Sequence, residues 1–250
     1  MRIAQISDLH LRHHLPGTAS LAVRLSRLMP ERFAQALERI RALSPDILVI
    51  SGDLLDYPMD ALDDPVTQQQ GRQDLELIAE LLDTLPLPVA LVHGNHDHPA
   101  LIDQVFGHLP NDQIVNGYRV LTFRDDEGEN HVPVRTGQEQ ARFLAALQDP
   151  TSLPQIHIQH YVVWPERNEE SPHTYGTGAS MREAIIGAGT VRLVLSGHYH
   201  TGVPLFFDKG VWFATARAFA ETPHPFTIYE IEEHDLEDAT VTSRTFTLDT

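Results

Sequence analysis

Five places in this 250-residue chain set metal-ligating side chains directly after a short apolar run. Asp8 and His10 follow Arg2–Ser7, and Asp53 follows Ile47–Ile50 through Ser51-Gly52. Asn95 follows Val89–Val92, His160 follows Gln155–Ile158, and His198 and His200 follow Val191–Leu195. One such coincidence is an ordinary turn. Five of them place a site at one rim of a sheet, because ligands of open α/β sheets bind outside the carboxyl ends of the strands. The donors are carboxylate, amide and imidazole without sulfur, a set that suits Mn, Fe, Zn, Co or Ni better than Ca or Mg. A carboxylate such as Asp53 has two oxygens and can bridge two ions. Ions about 3.5–4 Å apart clamp a phosphoryl group and supply hydroxide at neutral pH.

The elements that must position these residues alternate in the first half of the chain. Ser20–Leu43 reads mostly as a helix, with Phe33, Leu37, Ile40 and Leu43 on one face. A second amphipathic helix covers Asp74–Leu85, and further helices cover Pro99–Phe106, Gln138–Leu147 and Ser180–Ile186. Strands are expected around Ile114 and over Tyr118–Phe123, and only strand signals follow His200: Val203–Phe207, Val211–Thr215, Phe226–Glu230 and Thr240–Thr247. The Asp-, Pro- and Gln-rich stretch Tyr57–Gly71 reads as an exposed loop and one wall of the site. Tyr161–Thr177, with Pro165, Glu166, Glu169, Glu170, Pro172 and Gly176, reads as a long loop shaping the pocket. Within it Trp164, His173 or Tyr175 could stack on a base or line an apolar pocket, or Trp164 could simply anchor the loop. No repeat or linker divides the chain, so residues 1–250 are expected to form one domain. Strand–helix alternation followed by strands alone points to two packed sheets with helices outside.

Composition narrows the partners. With 18 Lys and Arg against 35 Asp and Glu, the formal net charge is −17. Such a chain is a poor partner for nucleic acid, whose non-specific binding depends on cations neutralising phosphates. A small phosphate ester remains accessible if metal ions bring the positive charge. No apolar run reaches the length of a membrane span, and the N-terminus turns polar too soon for a signal peptide. There is no cysteine, which is compatible with a cytoplasmic location.

Asp8-Leu9-His10, Gly52-Asp53-Leu54-Leu55-Asp56, Gly94-Asn95-His96-Asp97, His160 and Gly197-His198-Tyr199-His200 resemble, in order, the five motifs of the calcineurin-like metallophosphoesterases. The resemblance implies an α/β fold, a four-layer α/β/β/α sandwich of two mixed sheets flanked by helices. It implies that Asp8, His10, Asp53 and His200 hold one metal ion and Asp53, Asn95, His160 and His198 a second, with Asp53 as the bridge. His96 would contact the phosphate as general acid or hydrogen-bond donor, and Asp56 would orient and charge it. Asp97 is expected to cap the helix opening at Pro99. His13, His14, His93, His98 and His157 are not expected as ligands, and His93 and His157 read as core residues.

Motif spacing, chain length and the closing Gly-His-Tyr-His resemble the bacterial class III cyclic-nucleotide phosphodiesterases and related glycerophosphodiesterases. The nucleophile implied is a metal-bridging hydroxide. Tyr57 stands where protein Ser/Thr phosphatases carry an arginine, which favours a diester over a monoester dianion. Tyr161-Val162-Val163-Trp164 departs from the His-Pro continuation of the cyclic-nucleotide group, which argues against cyclic AMP specifically. A phosphomonoesterase or nucleotide pyrophosphatase is the alternative; a nuclease is disfavoured by charge, and a non-catalytic scaffold by the complete ligand set. Relatives of this kind are often homodimers.

Overall fold

The computed structural model describes residues 1–149, 151, 153–168, 171–235 and 238–249; Glu169 and Glu170 of the expected pocket loop lie outside them. Two large mixed sheets carry the fold. In the first, β1 (Arg2–Ile6), β2 (Ile47–Ser51) and β3 (Val89–Val92) run parallel side by side. The antiparallel pair β12 (Pro225–Asp235) and β13 (Asp238–Thr247) extends that sheet beyond β1. In the second, β5 (Tyr118–Thr122), β8 (Gln155–Ile158), β9 (Val191–Ser196) and β11 (Val211–Thr215) are mutually parallel. Antiparallel β4 (Asp112–Val115) and β10 (Val203–Asp208) close its two edges. A small hairpin, β6 (Asp126–Glu127) with β7 (Pro133–Val134), stands apart.

Strand alternation sorts the core into three apolar layers. Leu48 and Ile50 of β2 point outward onto Phe33, Leu37 and Ile40 of α1 (Met29–Leu43), beside Leu75 and Ile78 of α2 (Pro65–Leu82) and Leu101 of α3 (Pro99–Phe106). Ile47 and Val49 point inward to a layer shared with Val120, Ile156, Ile158, Leu193 and Leu195 of the second sheet. Beyond that sheet, Val194 and Phe213 pack with Phe143 of α4 (Gly137–Leu147) and Met181 and Ile185 of α5 (Gly178–Ala188). The layers are α/β/β/α, as the motif resemblance implies.

Two stretches differ from the sequence reading. Residues 20–25 are not helical; a 3₁₀ turn at Ser26–Leu28 leads into α1 at Met29. Pro30 lacks an N–H and is tolerated only in a first turn. The chain before it is held by tertiary backbone bonds, Leu25 N to Ala220 O at 2.9 Å and Arg12 N to Ser26 O at 3.2 Å. Conversely, α2 begins at Pro65, inside the stretch read as loop. Asp64 caps it, accepting from Thr67 N at 2.8 Å, with Pro65 in the first turn. Tyr57 is buried at 1% exposure, its ring 5.2 Å from that of His98, and residues 57–71 do not line the cleft described below.

Candidate active site

Each donor arrives on a turn that the strand end makes abruptly. Asp8, His10, Asp53 and His198 have φ of 55°, 44°, 51° and 65°, a region that costs a non-glycine residue about 1–2 kcal/mol. Four such residues at one rim mark a site whose geometry overrides local preference. Gly52 and Gly94 permit the close approach. Gly52 has φ 100°, and a Cβ on it would overlap the His160 ring. A Cβ on Gly94 would overlap Asp53 Oδ1 and lie 2.6 Å from His160 Nε2.

The turns gather the predicted residues into two clusters that share Asp53. Asp8, His10, Asp53 and His200 each offer one ligand atom within 4.8 Å of the others; Asp53, His160 and His198 do the same. In the first, His10 Nε2 is 3.1 Å from His200 Nε2 and 3.5 Å from Asp53 Oδ2, and His200 Nε2 is 3.5 Å from Asp8 Oδ1. In the second, His160 Nε2 is 3.2 Å from Asn95 Oδ1 and 3.5 Å from Asp53 Oδ1. The other histidines named above stay outside both clusters. His157 is fully buried against Phe123 and Phe143, and His93 is largely buried.

The donor chemistry of these clusters fits cations. His160 Nδ1 donates to Ser51 O at 2.8 Å, so in the neutral ring the Nε2 lone pair faces two oxygens that can only accept. His200 Nδ1 lies 2.7 Å from Glu221 Oε1, so its Nε2 lone pair faces Asp8 in the same way. Asp8 Oδ1 is buried with no hydrogen-bond partner. Acceptors converging without a donor are costly unless a positive charge lies between them. The electrostatics agree. Burial holds His10 and His198 well below the usual imidazole range, and so neutral and able to ligate. Burial also opposes the charged forms of Asp53 and His160, but their mutual attraction wins. The Asp53 charge thus draws a cation to this spot, a proton on His160 or a metal ion in its stead: Asp53 is held well below the carboxylate range, and His160 is pushed up to about 9.

Asp97 corrects the sequence reading. It accepts from Gly94 N and Leu55 N at 2.8 Å and from Leu54 N at 3.2 Å. It therefore joins the β2 and β3 turns rather than capping α3, whose N-cap is His98. The short polar loop leaves Asp97 buried at 1% exposure, directly between those two turns.

Beside the clusters, His96 Nδ1 lies 3.2 Å from Asp56 Oδ1, and its backbone N donates to Asp53 Oδ1 at 2.8 Å. Burial disfavours imidazolium here, but the bond to Asp56 and the Asp53 charge outweigh it and raise the His96 pKa. Two residues that carry no motif complete this corner. Arg12 grips Asp56 Oδ2 through Nε at 3.0 Å and Nη2 at 2.9 Å. Arg24 brings Nη1 within 3.4 Å of Asp56 Oδ1 and 3.3 Å of His96 Nε2.

The clusters open on a cleft of about 490 Å³, within the range of small-molecule sites. Leu21 and Arg24, Glu127 and His131 of the small hairpin, Ser171–His173, and Glu221 line it together with Asp53, Asn95, His96, His198 and His200. His173 is the member of the expected trio that lines the cleft, its ring 5.0 Å from His198. Trp164 instead lies under Arg182, with the guanidinium 4.9 Å from its ring. Tyr175 is buried, donating to Asp125 Oδ2 at 2.7 Å. Both anchor the loop.

A four-layer sandwich with this rim of imidazole and carboxylate donors is the architecture of a metal-dependent phosphoesterase, a hydrolase. The chain belongs to the calcineurin-like phosphoesterase family, whose profile matches residues 1–202. A Synechococcus protein named a probable cyclic nucleotide phosphodiesterase is 26% identical over 205 residues, covering 80% of this chain and 73% of that protein. A second protein of that name, from Pseudoalteromonas, is 25% identical over 237 residues, covering 91% and 82%. A dimetal phosphatase from Danio rerio has the same fold, with a TM-score of 0.70 at 16% identity over 99% of both chains. Among the described residues no helix is long and apolar enough to cross a membrane.

Proposed function

We propose that this chain hydrolyses a small phosphodiester, of the cyclic-nucleotide or glycerophosphodiester type, using two first-row metal ions. The observation that carries this reading is the pair of donor clusters sharing Asp53 at the floor of one cleft of about 490 Å³. Asp8, His10, Asp53 and His200 would hold one ion, and Asp53, Asn95, His160 and His198 the other. Mn, Fe and Zn suit such ligands. Two ions held there polarise phosphoryl oxygens and lower the pKa of water.

The chain's own residues do the rest. Asp56 holds the His96 ring by Nδ1 at 3.2 Å, leaving Nε2 to the cleft, and raises its pKa, which favours a proton on the ring. That proton is available to the leaving alkoxide, which would otherwise depart as a strong base. Loop residues Ser171–His173 and the small hairpin restrict the volume on the opposite side. The similarity to two proteins named probable cyclic nucleotide phosphodiesterases supports a diester. A single domain acting in the cytoplasm on small molecules is consistent with the chain's acidity and lack of cysteine.

One observation favours a second reading. The argument for a diester from Tyr57 supposes that no arginine reaches the phosphate, yet Arg24 lines the cleft. A guanidinium there suits a monoester dianion. Turnover of bis(p-nitrophenyl) phosphate and p-nitrophenyl phosphate by Mn(II)-loaded protein decides between them. Faster diester cleavage, lost in Asp53→Ala, is expected; faster monoester cleavage would put the phosphatase first.

A further inference from the structure

We infer that Arg24 is a substrate-binding residue that donates, beside His96, to an oxygen of the substrate phosphate. The inference rests on the phosphoesterase reading of the site. Four basic side chains surround the single carboxylate of Asp56, His10 Nδ1 the farthest at 3.8 Å, and they are not equivalent. Arg12 is fully engaged: Nε and Nη2 on Asp56 Oδ2, and Nη1 on Pro16 O at 2.8 Å. His96 takes Asp56 Oδ1 at 3.2 Å. Arg24 is left with a longer contact to that same oxygen at 3.4 Å, while its Nε is buried without a partner. Its side chain is only 10% exposed. A buried guanidinium so poorly paired is costly to hold.

The place of the guanidinium in the cleft is informative. Arg24 Nη1 lies 3.3 Å from His96 Nε2, and both residues line the cleft beside Asp53 and Asn95, which puts the guanidinium next to the donor clusters. An anionic oxygen at that corner of the cleft would give the guanidinium the close acceptor that Asp56 at 3.4 Å does not, and a phosphoryl oxygen has the charge for it. The position is also built independently of the arginine side chain. Backbone bonds from Leu25 N to Ala220 O and Arg24 N to Leu21 O hold the segment over the rim. This is phosphate recognition supplied from outside the five metal-site motifs.

Binding of inorganic phosphate to Mn(II)-loaded protein, measured by calorimetry beside metal content, tests the inference. Arg24→Ala is expected to weaken phosphate binding about ten- to hundredfold at unchanged metal content, corresponding to one charge-assisted hydrogen bond. Arg24→Lys is expected to recover part of the loss. Val23→Ser, an exposed neighbour outside the cleft lining, is expected to match the wild type and so separates a local disturbance from loss of the guanidinium. Equal phosphate affinity in wild type, Arg24→Ala and Arg24→Lys would overturn the role of Arg24 alone. A wild type that takes up metal but binds no phosphate would overturn the phosphoesterase reading of the site along with it.

Discussion

Glu221 fixes His200. Its Oε1 accepts from His200 Nδ1 at 2.7 Å, which turns Nε2 toward Asp8 and His10. Glu221 lies in the turn before β12, more than twenty residues beyond the last motif, and only the folded chain brings it back. Carboxylates that orient a ligating imidazole are typically worth 10–100-fold in metal affinity. Glu221→Gln is therefore expected to weaken Mn(II) binding by about that factor while the fold persists. Titration of the chelator-stripped protein with Mn(II) measures it, and an unchanged affinity would show the contact to be incidental.

Asp56 contacts His96 at 3.2 Å and lies farther, 3.8 Å, from Nδ1 of His10 in the first cluster. Asp56→Asn is expected to lower kcat by roughly 10²-fold, within the range of general acid catalysis, and to change metal content little. Steady-state kinetics with metal analysis on the same sample separates the two effects. Loss of metal in parallel with kcat would argue that Asp56 supports the first cluster instead.

Gly94 has no room for a side chain. Gly94→Ala is expected to displace Asp53 and the His160 ring, abolishing metal uptake while leaving the sandwich folded by circular dichroism. The conflict is with atoms of both clusters at once, so neither side can yield cheaply. Normal metal stoichiometry in this variant would refute the packing argument.

His157 predicts an acid limb of stability unrelated to the active site. Burial, reinforced by the Arg135 and Arg119 charges, holds its pKa down to about 3 from an ordinary 6.5. Its Nε2 lies 2.8 Å from Gln155 Oε1, and its Nδ1 has no partner to receive a second proton. Below pH 6.5 the unfolded chain takes up a proton that the folded chain refuses until about pH 3. The contribution is thus complete above pH 6.5 and is lost as pH falls through that window, at up to about 1.4 kcal/mol per pH unit. Urea unfolding at pH 7, 5 and 4 is expected to show a shallower decline in His157→Leu. Identical slopes in the two proteins would assign the acid limb elsewhere.

Metal removal is expected to lower the melting temperature of the wild type and to leave Asp53→Ala almost unaffected. Ligand present at 100 times its Kd stabilises by about 2.7 kcal/mol, which a thermal scan with and without chelator resolves easily.

The residues gathered at the rim are legible in the sequence because each abuts an apolar run. Ile47–Ile50 is buried on both faces and stops at Ser51-Gly52, so Asp53 has nowhere to go but the rim. The same logic located Asp8, Asn95, His160 and His198. Arg24 gave no such signal: it sits in a stretch whose Leu21, Leu25 and Leu28 imitate helical spacing, and tertiary bonds to Ala220 decide its position. Glu221 was hidden for the same reason. The start of α2 could have been read from Asp64-Pro65, a cap followed by a first-turn proline, but the Asp- and Gln-rich composition of 57–71 obscured it. Tyr57 shows the hazard of reasoning from one position, since the fold brings a guanidinium to the site from elsewhere.

Both donor clusters straddle the gap between the sheets. Asp8, His10 and Asp53 hang from one sheet, and His160, His198 and His200 from the other. Beneath them lies a single layer that includes Ile3, Val49, Val92, Ile158 and Leu195. The separation of the donors is therefore inherited from the thickness of that hydrocarbon. Because first-row metals are told apart largely by geometry, interior volume becomes a lever on ion selectivity, and substitutions such as Val49→Ala or Ile158→Val would retune the site without touching a ligand.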